Sequence, residues 1–301
     1  HSTSDFPILL GNVFNKVLLN AYAAIPDTWR LFCKVGSVSD FRAIYRARAS
    51  TFGDLDTVVE GGEYKYGTIA DGSYEPITAQ TKGKMFSVTR QLLINDDLGA
   101  LTNILQLMGR GAARTIEKDV YALLALNSGA GPTMHDTGAL FNSTAVTTAG
   151  GHANLLASGG SAPDVASISA MKIAMMTQSF GGDYIDVGPS IFLGPVNLAE
   201  SVKVLNASQY DPESNKFQKP NQVQGMFSTI IGTPRLSGTA WYTFADPNIE
   251  PVLEVAFLNG QQTPYTEQRE GWNVDGIEYK VRLDYGVGAV GYRGARKNPG
   301  T

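Results

Sequence analysis

The sequence predicts an α+β fold, and three patterns indicate it. Polar and apolar side chains alternate over much of residues 56–93, which is typical of a long β-hairpin. Apolar residues then recur at intervals of three and four through residues 96–127, which predicts one long helix. Strict alternation returns over residues 277–285. The 301 residues, of which 43% are hydrophobic, are enough for a sizeable core.

The first 55 residues divide into two expected segments. Residues 1–35 contain a helical spacing of apolar side chains, which predicts a short helix within an N-terminal arm. Residues 36–55 contain the alternating stretch DFRAIYRARAS, which predicts a strand. One face of this strand carries Arg42, Arg46 and Arg48. These arginines could bind phosphate or pair with carboxylates across a sheet, and we favour the pairing.

Residues 56–93 predict a long, polar hairpin that projects from the body of the protein. A two-stranded ribbon is marginally stable in water, so we expect another molecule to stabilise it. The candidate contact residues along the hairpin are Tyr64, Lys65, Tyr66, Lys82, Lys84, Phe86 and Arg90.

The next segment, residues 94–182, is dominated by the long helix. About 30 residues at ~1.5 Å each give a helix of roughly 45 Å, long enough to cross a whole domain. The run Asn127-Ser128-Gly129 predicts its C-terminal end. Gly109 and Gly111 lie near its middle, where we expect a bend.

The rest of the chain predicts an inserted lobe and a set of closing strands. Residues 183–262 alternate short strands with a helix, which indicates a compact α/β lobe. Residues 263–301 return to strand, with Glu278 and Asp284 on the polar face. We expect these two carboxylates to pair with the three arginines near the start of the chain, which would join both ends in one sheet.

Motifs for chemistry are weak in this sequence. Residues 286–291 match G-x-G-x-x-G, but that pattern binds dinucleotides only where a helix follows the strand, and too little chain remains to form one. Cys33 shows no sign of activation and is expected to be buried. The sequence has three histidines, which are His1, His135 and His152, and their spacing is not that of metal ligands. We therefore expect no enzyme, no cofactor and no metal.

Composition excludes several classes of protein. The net charge of −4, without a basic stripe, argues against a dedicated nucleic-acid-binding protein. A single cysteine excludes a disulfide framework and fits a reducing cytoplasm. No apolar run approaches the length of about 18 residues that spans a membrane.

The order of arm, hairpin, long helix, inserted lobe and closing strands resembles the HK97-like major capsid proteins of tailed phages. In that family the hairpin is called the E-loop, the long helix is the spine of the peripheral (P) domain, and the lobe is the axial (A) domain. Two stretches are similar to the Mu-like branch of major head subunits (gpT type): the opening HSTSDFPILLGNVFNKVLLNAYAAIPDTW, and TKGKMFSVTRQLLINDD at residues 81–97.

This resemblance implies that each copy lays its E-loop over a neighbour, in pentamers and hexamers of an icosahedral shell around double-stranded DNA, without sequence-specific contact. It implies a location in the virion after assembly in the bacterial cytoplasm, with portal, prohead protease and decoration proteins as further partners. A first residue of His1 fits release from a longer precursor in that branch. Some relatives crosslink an E-loop lysine to a neighbour, which we do not favour here.

Two alternatives remain open at this point. An encapsulin, a bacterial nanocompartment shell protein, has the same fold and would enclose enzymes rather than DNA. A soluble enzyme is a different class of protein, and it predicts a small oligomer whose hairpin folds onto its own body. Electron microscopy with a test for packaged DNA separates the three.

Overall fold

The computed structural model describes residues 5–47, 57–58, 60–64, 74–89, 91, 95, 98–157, 159–180, 183–212, 219–271 and 276–301. The helices of this part are α1 (Asp5–Ala23), α2 (Leu98–Gly129), α3 (Val165–Met176) and α4 (Val196–Ala207). Its strands are β1 (Lys34–Val38), β2 (Ile44–Ala47), β3 (Tyr74–Ile77), β4 (Gln80–Thr89), β5 (Ser179–Phe180), β6 (Asp183–Tyr184), β7 (Ile191–Gly194), β8 (Thr229–Gly232), β9 (Trp241–Phe244), β10 (Leu253–Leu258), β11 (Tyr265–Glu270), β12 (Gly276–Ala289) and β13 (Ala295–Asn298). The mixture confirms the predicted α+β class.

The larger sheet is built around the long strand β12. Strands β1, β10, β12 and β11 are hydrogen-bonded in that order, and β4 also pairs with β12. The β4 strand runs antiparallel to β12, from the pair Gln80 and Tyr285 to the pair Thr89 and Gly276. The returning strand of the predicted hairpin therefore has its hydrogen-bond partner within its own chain. The expectation that the whole ribbon needs a partner molecule is wrong for this strand.

The smaller sheet has the order β13-β9-β7-β8, and α3 and α4 pack against it. Asp164 caps α3 by accepting a hydrogen bond from the Ser167 N–H at 2.6 Å. Two strands cross the predicted boundary of the lobe. The β10 strand falls within residues 183–262 but belongs to the larger sheet, and β13 falls within residues 263–301 but belongs to the smaller one. Hydrophobic period alone does not reveal which sheet a strand joins.

The N-terminal helix α1 is longer than predicted, and it packs on α2 of its own chain. A Cβ atom at Gly109 would lie 2.4 Å from the Leu18 carbonyl oxygen, so the two helices are in close contact at this glycine. Non-helical dihedral angles occur in α2 only at residues 126–128. No break in the helical dihedral angles accompanies the bend expected at Gly109 and Gly111, which stays a prediction, whereas the predicted C-terminal end is confirmed by the left-handed Asn127, at φ 51°.

Two strands, rather than one, occupy the described part of residues 36–55. The β1 strand pairs in parallel with β10 in the larger sheet, and β2 pairs with β3 in a separate two-stranded ribbon. The 3-10 turn Trp29–Leu31 precedes β1 and places Trp29 and Cys33 in the main core beside α2. Cys33 is buried, as predicted.

Candidate intersubunit surface

The outgoing side of the predicted hairpin is exposed where the structure describes it. Residues 57–58 and 60–64 are exposed, and the ring of Tyr64 is 86% exposed. Val59 lies outside the described residues. Glu60 and Glu63 form no ion pair with any described residue. This short segment thus offers two free carboxylates and a large exposed aromatic ring. Three of the predicted contact residues fall outside the described residues: Lys65, Tyr66 and Arg90.

On the returning strand, two of the predicted contact residues are engaged within the chain. Lys82 forms an ion pair with Asp119 of α2, and the Tyr285 hydroxyl donates a hydrogen bond to the same carboxylate. Burial, followed by the hydrogen bond to Asp119, raises the pKa of Tyr285 above its ordinary value. Phe86 stacks on Tyr279 with ring centroids 5.1 Å apart. These contacts fix β4 to the body of the protein.

An apolar groove of about 540 Å³ lies between α2, β4 and β12. Its floor is formed by Val281, Leu283 and Tyr285, and on its α2 wall Leu107 is 60% exposed. The cations along its edge are Lys82, Lys84 and Lys118. The exposed residues Arg110 and Arg114 continue this positive charge along α2.

The groove carries a net positive charge because most of these cations have no ion-pair partner among the described residues. Of these three lysines and two arginines, only Lys82 has an ion-pair partner in the described part of the chain. An exposed apolar surface rimmed by polar groups is typical of a protein–protein contact. The α2 groove is positively charged and residues 57–58 and 60–64 carry negative charge, and both surfaces are accessible.

The arginine face differs from the prediction. Arg46 pairs with Glu254 of β10 at 2.6 Å and donates to the Ser37 carbonyl, rather than pairing with Glu278 or Asp284. Glu254 is almost fully buried, so Arg46 balances a buried charge. For Arg46 the predicted partners are therefore wrong, because β2 pairs with β3 and this arginine reaches the carboxylate of β10 instead.

The other members of that predicted set have different surroundings. Glu278 pairs with Arg269 of β11 at 2.7 Å, and Asp284 lies 3.8 Å from Arg282 and accepts a hydrogen bond from Thr81. Arg42 has no ion pair with a described residue, and Arg48 lies outside the described residues. A phosphate-binding cluster of all three arginines therefore stays untested, since one of them lies outside the described residues.

The glycines of residues 286–291 allow chain segments to pass closely. Gly286 and Gly288 lie in β12, and a Cβ atom at Gly286 would be 2.4 Å from the Thr78 carbonyl oxygen. No helix follows β12, since β13 comes next, so the dinucleotide-binding arrangement is absent. Within the described residues, no group of three or more His, Cys, Asp or Glu side chains could hold a metal ion.

Sequence reasoning missed a buried acidic site between the N-terminal segment and α2. Glu117 accepts hydrogen bonds from the Thr28 hydroxyl and from the Trp29 N–H, and Arg235 lies 4.0 Å away. The groups come from three distant parts of the chain, so local patterns give no signal of their approach. A charged residue at a position of α2 that faces the core was the one available hint.

Comparison with known proteins gives one family and several similar structures. The sequence model of a family described as phage capsid protein matches residues 74–298. No curated protein matches the sequence of this chain. No helix in the described ranges has the length and hydropathy needed to cross a bilayer.

Three solved structures illustrate the likeness of fold. A virus-like particle from Pyrococcus furiosus has a TM-score of 0.54 at 13% identity, covering 95% of this chain and 97% of that one. The procapsid of bacteriophage JBD30 has a TM-score of 0.52 at 16% identity, covering 98% and 75%. The capsid of the Cyanophage P-SCSP1u has a TM-score of 0.53 at 11% identity, covering 90% and 87%.

These likenesses show that the fold is HK97-like, as the order of segments implied. The family match covers most of the chain and does not favour the nanocompartment alternative. This chain belongs to the phage capsid protein family and is a structural protein of the major capsid shell.

Proposed function

We propose that copies of this chain assemble into pentamers and hexamers of an icosahedral head that encloses phage double-stranded DNA. The Mu-like branch is the proposed subfamily, because the opening of the chain and residues 81–97 resemble it. The protein acts by holding a shell together and not by catalysis. Assembly takes place in the bacterial cytoplasm, and portal, prohead protease and decoration proteins are its further partners.

The observation that carries this proposal is the pair of unpartnered, complementary surfaces described above. Residues 57–58 and 60–64 present free carboxylates and an exposed tyrosine, and the α2 groove presents Lys84 and Lys118, which have no ion-pair partner among the described residues, beside an apolar floor. We propose that the E-loop segment of one copy contacts the α2 groove of the next. Opposite charges set the register of such a contact, and apolar burial stabilises it.

The proposed division into domains keeps the expected N-terminal arm (residues 1–35), P-domain strand (36–55) and E-loop (56–93), although β4 of the E-loop also pairs with the larger sheet. The proposed P domain is built on α2 and that sheet. The proposed A domain contains β7, β8, β9 and α4, and we extend it to α3 and β13, because these pack on or pair with the smaller sheet. The negative net charge suits a container that does not adhere to the DNA it encloses.

Charge reversal with rescue tests the contact. We expect Glu60→Lys/Glu63→Lys, and separately Lys84→Glu/Lys118→Glu, to reduce the yield of closed particles in negative-stain images and sucrose gradients. Combining all four substitutions restores attraction with the opposite sign and is expected to recover particles. Lys16→Glu, at an exposed position on α1, is the matched control and leaves the yield unchanged.

The outcomes separate two levels of the proposal. Wild-type protein that stays monomeric at every concentration and salt contradicts the shell function itself. Wild-type particles that form normally with either reversed set contradict only the contact between the E-loop and the α2 groove. Packaged DNA in particles from infected cells, measured by nuclease protection, distinguishes a phage head from an enzyme compartment.

A further inference from the structure

The 130–157 segment follows α2 and has no helix or strand of its own, and hydrogen bonds of its backbone and of its side chains hold it together. Asn142 accepts hydrogen bonds from the His152 and Thr144 N–H groups and donates to two carbonyls of the same segment. Asn154 in turn accepts from the Asn142 N–H and donates to the Leu140 carbonyl. The backbone around His152 therefore has little freedom to move alone.

The imidazole of His152 is enclosed in this segment with an oxygen at each nitrogen. Its Nδ1 lies 3.0 Å from the Leu140 carbonyl oxygen, and its Nε2 lies 2.9 Å from Asp136 Oδ2. The residue is 1% exposed, and its ring stacks on Tyr292 with centroids 4.0 Å apart and an angle of 14°. Stacking and burial hold the ring in this orientation.

Counting protons shows that this geometry needs one more than a neutral imidazole has. A carbonyl oxygen only accepts, so Nδ1 must carry a proton to bond with Leu140. A neutral imidazole has a single proton, which leaves Nε2 with a lone pair facing a carboxylate oxygen. Both hydrogen bonds exist together only when a second proton lies between His152 and Asp136.

The charges around the ring are mixed. Glu75 of β3 is buried and accepts a hydrogen bond from the backbone N–H of His135. Burial is the main cause that raises the pKa of Glu75. The imidazole of His135 stacks on Tyr74, also in β3. On the other side, the Arg293 guanidinium lies 4.9 Å from the Tyr292 ring, and Arg296 donates to the Ala153 carbonyl.

We propose that His152 and Asp136 form a proton-dependent clasp that holds the 133–154 loop against β3 and Tyr292. In the closed form, an imidazolium donates to both Leu140 and the Asp136 carboxylate. When the pH rises, the Nε2 proton passes to solvent, the bond to Asp136 is lost, and the Nδ1 bond to Leu140 remains. The loop then opens more often, which also weakens the hydrogen bonds from the backbone N–H of His135 to Glu75 of β3.

Hydrogen exchange measured by mass spectrometry tests the clasp, on both unassembled chain and particles. After correction for intrinsic exchange rates, protection of the 133–154 loop is expected to fall by up to about tenfold per pH unit above the midpoint, because one proton is linked to closing. Asp136→Asn is the matched variant, because its amide N–H can donate to the bare Nε2 of a neutral ring. We expect its protection to be high and independent of pH.

A second measurement covers the case in which the variant fails to fold. Nitrogen-15 chemical shifts of His152 in wild-type protein at mildly acidic pH should show two protonated ring nitrogens. A bare nitrogen under those conditions overturns the proposal, as does equal pH dependence of loop protection in wild type and Asp136→Asn. His135→Gln, which changes the exposed histidine nearby, is expected to keep the wild-type pH dependence.

Discussion

Replacing either of two glycines in the middle of α2 by alanine should have opposite effects on stability. Gly109 is covered by α1, where an added Cβ would lie 2.4 Å from the Leu18 carbonyl oxygen and 3.0 Å from the Tyr22 nitrogen. Gly111 is two residues further along the same helix, and an added Cβ there has nothing within 4 Å. The two sites thus share helical backbone and differ in what covers them.

The magnitude follows from two opposing effects. Alanine in place of glycine inside a helix stabilises by roughly 0.5–1 kcal/mol, because glycine loses more backbone entropy on folding. At Gly111 we expect that full gain. At Gly109 the obstructing atoms belong to backbone, so α1 must move away as a whole, and such overpacking costs about 1–3 kcal/mol. Since the gain is common to both variants, their difference isolates the packing cost.

Urea denaturation of unassembled chain, followed by tryptophan fluorescence, measures this difference in the free energy of unfolding. A second readout is proteolysis within α1, which should be faster in Gly109→Ala if the helix detaches before the rest of the protein unfolds. Equal stability of the two variants, with equal resistance of α1 to protease, would show that α1 does not pack on α2 at Gly109. The N-terminal arm would then not be docked on α2.

Three further predictions concern buried groups. Glu117→Leu removes the acceptor of the Thr28 hydroxyl and the Trp29 N–H, and should destabilise by about 2–4 kcal/mol in urea denaturation; an unchanged midpoint would contradict it. Burial raises the pKa of the Cys33 thiol well above its usual value, so iodoacetamide should label this residue only after unfolding, as mass spectrometry can show. Burial also raises the pKa of Tyr242 to about 12. Because the pKa of an unfolded tyrosine is about 10, the free energy of unfolding should fall as the pH rises from about 10 to 12. Denaturation curves at several pH values should show a smaller fall in Tyr242→Phe.

Features that depend on neighbours in sequence could be predicted. The spacing of apolar residues in α2, the alternation in β4 and the left-handed end at Asn127 are each set by a few consecutive residues, and the structure has all three. A capping aspartate at residue 164 belongs to the same group, because its partner Ser167 is three residues away. Local chemistry is enough to specify such elements.

Features that depend on sheet order could not be predicted in this way. The alternation around Arg46 shows that one face is polar, but it does not say which carboxylate lies opposite, and Glu254 was found there rather than Glu278. The same is true of β13, whose four residues pair with β9 across about fifty positions of sequence. Strand partners are chosen by long-range packing, which a single sequence does not display.

The pairing of β4 with β12 changes the physical account of the E-loop. A free ribbon would have to order both strands when it docks on a neighbour, and that loss of entropy would weaken the contact. Here the returning strand is already fixed by Lys82, Phe86 and hydrogen bonds to β12 before any neighbour arrives. In the proposed assembly, a neighbour would then contact the exposed residues 57–58 and 60–64 without having to order β4. We therefore expect the subunit to fold first and assemble second, with residues 57–58 and 60–64 as the part whose protection depends on the shell.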